Sequence, residues 1–161
     1  MEKIFLIMKL IFEKWNHFIS EQEVKTKDEL LKLLKSDKIF KINIDTPRGK
    51  TKKFGGLKKI KLKFDYGEWP GLINPADKMG WDLVIVPSAD KDSLNLLPVG
   101  EINYRADDNI WDDVGKSKPI GVEHNTKIIL GPEGSYTEED KTTINKFFSN
   151  LIQFKPVIWY T

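Results

Sequence analysis

Asp77-Lys78-Met79-Gly80-Trp81-Asp82-Leu83-Val84-Ile85-Val86-Pro87 is the stretch whose reading decides the fold. From Trp81 to Val86 it is apolar apart from Asp82, and Gly80 and Pro87 bound it, the pattern of a strand buried inside a sheet. Working outward, Phe40, Ile42 and Ile44 alternate with polar residues, and Leu62 and Phe64 alternate with Lys61 and Lys63. Pro98 to Tyr104, Pro119 to Leu130 and Pro156 to Tyr160 supply further strands. Two helices interrupt the β pattern. Thr26-Lys27-Asp28-Glu29 starts a short one carrying Leu30, Leu31, Leu33 and Leu34. Thr137, with Asp140 three residues on, opens a later one whose stripe is Ile144, Phe147, Phe148, Leu151 and Ile152. Short strands punctuated by Gly and Pro, with a helix packed at the end, predict an α+β, mostly β, small barrel.

The amino terminus begins with Ile4-Phe5-Leu6-Ile7-Met8, but Lys9, Glu13 and Lys14 cut the run short. A spanning helix needs roughly 20 apolar residues, so no membrane span is expected. Ile4, Met8, Ile11, Phe12, Trp15, Phe18 and Ile19 fall three and four apart, one stripe of an amphipathic helix. That stripe is expected to pack on the body of the protein or on another subunit, with a membrane surface as the alternative, and Met8 offers a second start. The organisation is a single domain over 1–161, with a helical segment at 1–37 and the barrel and late helix at 38–161.

Composition narrows the chemistry. The 161 residues contain no cysteine and two histidines, His17 and His124. Disulfides and thiolate zinc sites are excluded, and a metal would have to be a hard ion on carboxylates. A chain free of cysteine suits a cytoplasmic location.

The 26 basic and 24 acidic residues nearly cancel overall but not locally. Between Thr46 and Phe64 stand eight basic residues, Arg48, Lys50, Lys52, Lys53, Lys58, Lys59, Lys61 and Lys63, and no acid. Such a segment suits a phosphate-bearing anion or a nucleic-acid backbone. It also suits the solvated face of an edge strand. Gly49-Lys50-Thr51 is not a P-loop, because Ile44 stands where the motif needs its first glycine and no helix follows. The acids gather elsewhere. Asp107, Asp108, Asp112 and Asp113 crowd one loop, and Asp77 and Asp82 flank the start of the central strand. Carboxylates this dense either repel one another in solvent or share magnesium, which takes oxygen ligands.

The order of these pieces resembles the soluble inorganic pyrophosphatases of the family I type. Ile44 to Phe54 looks like that family's strand, Pro-x-Gly turn and lysine-aromatic pair. Phe64-Asp65-Tyr66-Gly67, with Pro70 close behind, is similar to its Asn-Tyr-Gly segment. Asp77 to Pro87 corresponds to its Asp-x-Asp-Pro-x-Asp signature and the strand after it. The resemblance runs from about residue 40 to residue 155 and implies an OB-like five-stranded barrel with flanking helices. By resemblance, Asp77, Asp82, Asp107 and Asp112 would be ligands of magnesium or manganese. Lys53 and Tyr66 would contact phosphate, and Asp45 and Lys116 would lie at the cleft edge. Metal-dependent hydrolysis of pyrophosphate or a related phosphoanhydride would follow, and the family's assemblies imply a homo-oligomer.

The departures fall on the same positions. The signature's central aspartate, the family's base position, is Met79, so no catalytic base is assigned. Gly55 replaces a glutamate, Leu62 an earlier cleft tyrosine, Val114 a lysine, and Leu151 and Ile152 a tyrosine-lysine pair. A divergent hydrolase with weak or lost activity is one expectation, with Glu68, Asp108, Asp113 or Lys155 recruited as substitutes. A noncatalytic module that binds a phosphorylated ligand, nucleic acid or a protein partner is the other.

Overall fold

The computed structural model of the chain describes residues 3–4, 6–9, 21–54, 59–75, 78–105 and 126–161. The fold is mixed α/β and mostly strand. A seven-stranded sheet runs in the order β1 (Gln22–Glu23), β5 (Asp65–Asn74), β6 (Met79–Ile85), β8 (Lys127–Pro132), β7 (Leu96–Ile102) and β9 (Ile158–Trp159), with β2 (Asn43–Thr46) also on β5. A separate two-stranded ribbon joins β3 (Thr51–Lys53) to β4 (Lys59–Lys61). The helices are α1 (Lys27–Leu34) and α2 (Glu138–Ser149). Among the described residues the sheet is open rather than closed into the implied barrel, because β9 at one end and β1 and β2 at the other do not pair with each other.

The ten-residue β5 organises the sheet. Its first half pairs antiparallel with β2 and its second half parallel with β1, while its other edge carries β6. Gly67 and Pro70 make this strand look like a turn in sequence, yet each has a place in it. A Cβ at Gly67 would stand 2.2 Å from the Asn43 carbonyl oxygen, so the close approach of β2 requires glycine. Pro70 lies where the β5–β6 register shifts between Trp69 and Ile73, a bulge at which no donor is needed. Gly80 completes that bulge, since a Cβ there would sit 2.2 Å from the Trp69 carbonyl oxygen.

The central strand stands as read, with Leu83, Val84 and Ile85 fully buried. The Leu62–Phe64 alternation does not form one strand. The chain bends at Lys63 and Phe64, leaving β4 on the ribbon and β5 in the sheet. Thr137 and Asp140 form the expected capping box of α2. The helix ends at Ser149, capped by Asn150, so the expected stripe is cut short and Ile152 is 80% exposed beyond it. Residues 3–4 and 6–9 are helical, with Ile4 and Met8 exposed, and Ile11 to Ile19 lie outside the described residues. No helix among the described residues is long and apolar enough to cross a membrane.

One face of the core is aromatic. Phe64 stacks on Phe148 at 5.6 Å, and Phe54 makes edge contacts with Tyr66, Phe147, Phe148 and Phe154 at 5.6 to 6.0 Å. Phe54 is thus the apolar anchor of the lysine-rich segment, and its carbonyl accepts from Gln153 Nε2 at 2.7 Å.

Asp140 ties α2 to the end of the central strand. Its carboxylate accepts from the Ser88 amide at 2.8 Å, the Ser88 hydroxyl at 2.6 Å and the Thr137 amide at 2.9 Å. Burial alone would raise its pKa, but these donors outweigh burial and hold it below the ordinary aspartate range. Asp140→Ala is expected to cost about 2–4 kcal/mol in urea unfolding, combining a lost helix cap with an unsatisfied buried donor. A depressed folded pKa stabilises above the unfolded value of about 3.9 and loses that effect as pH falls through the folded value. The gap between wild type and variant should therefore narrow on acidification below about pH 4, which unfolding curves over that range check.

Candidate functional site

The sheet register brings four polar side chains to one face. Glu68 lies directly across from Asp82, Tyr66 lies across from Val84, and Leu83 pairs with Ile128 on the next strand. Side chains alternate along a strand, so Tyr66 and Glu68 of β5 share a face with Asp82 of β6 and Lys127 of β8. Contacts within the group follow that placement. The Tyr66 hydroxyl donates to Asp82 Oδ2 at 2.8 Å, and Lys127 Nζ donates to the same oxygen at 3.0 Å.

Lys127 is the unusual member. Its side chain is 3% exposed, while that of Asp82 is 34% exposed. The ammonium lies 5.3 Å from the ring centres of Tyr66 and Tyr104 and 5.9 Å from that of Phe154, within reach of cation–π attraction. Burial, the largest single influence, works against its charge, but the Asp82 carboxylate together with Tyr104 and Tyr66 outweighs it and holds the Lys127 pKa well above the ordinary lysine range. Burial also pushes the Tyr66 phenol well above its usual value, with Lys127 opposing and Asp82 adding to the rise. At neutral pH Lys127 is therefore an ammonium and Tyr66 a protonated phenol.

A second cation reaches Tyr66 from the ribbon. Lys52 Nζ lies 4.4 Å from the Tyr66 ring centre and 5.9 Å from that of Phe54. Lys53, expected from sequence to meet phosphate, lies on the exposed outward side of β3. Asp45 is exposed on β2, at the register shift between Ile44 and Thr46. Met79 is 54% exposed at the start of β6. Asp77, Asp107, Asp112 and Lys116 lie outside the described residues, as do Gly55, Asp108, Asp113 and Val114. The structure thus brings together Tyr66 and Asp82 and adds Lys127 and Lys52, which the sequence reading did not place there. The signal for Lys127 was present: it opens the apolar run Ile128-Ile129-Leu130, where a charge is costly to bury unless paired.

The arrangement does not leave Asp82 Oδ2 open to a magnesium ion, since Tyr66 and Lys127 already occupy it. A divalent cation beside the ammonium would also be repelled. Two unit charges 4 Å apart interact by about 4 kcal/mol at an effective dielectric of about 20, and a divalent ion doubles this. No group of three or more His, Asp or Glu residues that would hold a metal occurs among the described residues.

A second polar network lies on β7. Glu101 accepts from Lys27 Nζ at 2.8 Å, Asn103 Nδ2 at 2.7 Å and the Tyr160 hydroxyl at 3.0 Å. It fastens α1 and the carboxy-terminal segment to the sheet.

No family model matches the chain, and neither the curated proteins nor the solved structures compared with it give a match.

Asp82→Ala would leave the Lys127 ammonium buried without its counter-charge, and the expected loss is about 3 kcal/mol at neutral pH. In the wild type the raised lysine pKa stabilises below the unfolded value of about 10.4, and the effect is lost only as pH rises through the higher folded value. In the variant the main influence opposing burial is gone, so burial is expected to depress that pKa despite Tyr104 and Tyr66, and stability should rise with pH over the alkaline range instead. Denaturation at two alkaline pH values distinguishes the two slopes.

Proposed function

We propose that the chain is a divergent protein of the inorganic pyrophosphatase type that binds pyrophosphate or another phosphate-bearing anion, with hydrolysis weak or lost. The observation that carries this reading is the pair of ammonium groups at Tyr66, Lys52 over its ring at 4.4 Å and Lys127 beside it at 5.3 Å, next to a hydroxyl and a half-exposed carboxylate. Lys52, half-buried on the ribbon, is the cation a phosphate oxygen would meet, while Lys127 and the Tyr66 hydroxyl, bonded to Asp82, form the buried polar floor beneath it. Met79 argues for lost turnover, because a thioether at the position assigned to the base accepts no proton at neutral pH. On this reading the open sheet is a relaxed form of the OB-like barrel, and Asp82 has changed from metal ligand to partner of Lys127.

Magnesium-dependent hydrolysis is the second reading. The register that sets Glu68 across from Asp82 puts two carboxylates on one face, but this reading requires Asp82 to give up its contacts with Tyr66 and Lys127.

Thermal melting with pyrophosphate, in EDTA and in magnesium, and phosphate release by the wild type and by Met79→Asp together test the proposal. The expected results are a pyrophosphate-dependent rise in Tm, phosphate release near background in the wild type, and a gain in Met79→Asp. Brisk wild-type turnover confined to magnesium or manganese would favour the second reading. A Tm that pyrophosphate leaves unmoved in either buffer would refute both.

A further inference from the structure

The outward face of the β3–β4 ribbon takes no part in the anion site. Thr51 pairs with Lys61, Lys52 with Ile60, and Lys53 with Lys59. Alternation puts Thr51, Lys53, Lys59 and Lys61 on one side, all exposed, and Lys52 and Ile60 on the other, half-buried. Lys53 and Lys59 are thus directly opposite, with Cβ atoms about 5 Å apart, an arrangement that destabilises a strand pair when nothing neutralises it. No acid occurs between Thr46 and Phe64, and the next one, Asp65, is buried and accepts from the Arg48 amide at 2.8 Å. Among the described residues, none of Lys53, Lys59 and Lys61 has a salt-bridge partner.

We propose that this face binds the phosphate backbone of a nucleic-acid duplex, through charge and without reading bases. Three ammonium groups spread over an open ribbon match a repeated anion better than a compact one, and Thr51 adds a hydroxyl donor. The outward positions carry no apolar side chain to insert into a membrane and no aromatic ring to stack on unpaired bases. A two-stranded ribbon is also narrow enough for a major groove about 12 Å wide.

Fluorescence anisotropy with a short mixed-sequence DNA duplex tests the proposal, comparing the wild type with the double variant Lys59→Gln, Lys61→Gln. The wild type should bind at low salt with an affinity that falls steeply as salt rises. The double variant should bind more weakly, with a logarithmic salt slope shallower by about 1.8, two phosphate contacts at about 0.9 each. Its Tm should be no lower than the wild type's, because Lys59→Gln relieves the repulsion from Lys53, and its response to pyrophosphate should match, because neither lysine belongs to the Tyr66 site. The proposal is overturned if the wild type fails to bind the duplex at low salt, or if the double variant keeps the wild-type affinity and slope. Binding to phosphatidylserine vesicles without binding to the duplex would overturn it as well.

Discussion

An ammonium buried in a sheet must be matched where it lies, because burial strips it of water, and Lys127 imposes that demand on its surroundings. Its counter-charge comes from β6, the phenol that shares that carboxylate oxygen comes from β5, and Tyr104 and Phe154 add ring contacts from the chain beyond β7 and α2. The match holds only if β5, β6 and β8 keep their register, since a slip of one residue would send Tyr66, Asp82 or Lys127 to the opposite face. The features that pin that register are therefore part of the same device: the bulge at Pro70, the close approaches at Gly67 and Gly80, and the Asp140 clamp on Ser88. A buried ion pair of this kind adds little net stability over an apolar alternative, but it makes wrong pairings costly.

What could be read from the sequence follows the strength of the local signals. The central strand and the start of α2 were legible, because a run of Leu, Val and Ile between Gly80 and Pro87, and a Thr137–Asp140 capping pattern, each have a local physical cause. β5 was not legible as a strand, because Gly67 and Pro70 signal turns and their tolerance depends on a neighbour supplied elsewhere in the chain. The end of α2 was overrun for a related reason. Leu151 and Ile152 keep the helical spacing, yet Asn150 has already capped the helix and Ile152 projects into solvent. At the site, the types of Tyr66 and Asp82 were suggestive in sequence. The choice of Lys52 over Lys53 to face Tyr66 rests on which side of a three-residue strand turns inward, and Phe54 settles it by fixing the ribbon to the aromatic core.

The basic segment therefore has two faces with separate roles. Inward, Phe54 and Lys52 join the aromatic core and the Tyr66 ring; outward, Lys53, Lys59 and Lys61 are exposed among the described residues. The even overall charge of the chain hides this division.

The division of the β5 edge has a consequence for how the protein behaves in a crowd. A ten-residue strand with a free edge would be a template on which other chains could add. Here β1 and β2 cover it from opposite directions, and Pro70, which has no amide hydrogen to offer, falls near the point where one gives way to the other. The strands left outermost among the described residues, β1, β2 and β9, are two, four and two residues long, and the ribbon strands are three residues long and edged with lysine. Among the described residues the sheet stays open, yet its outermost strands are short, and short edges give a passing chain little to pair with.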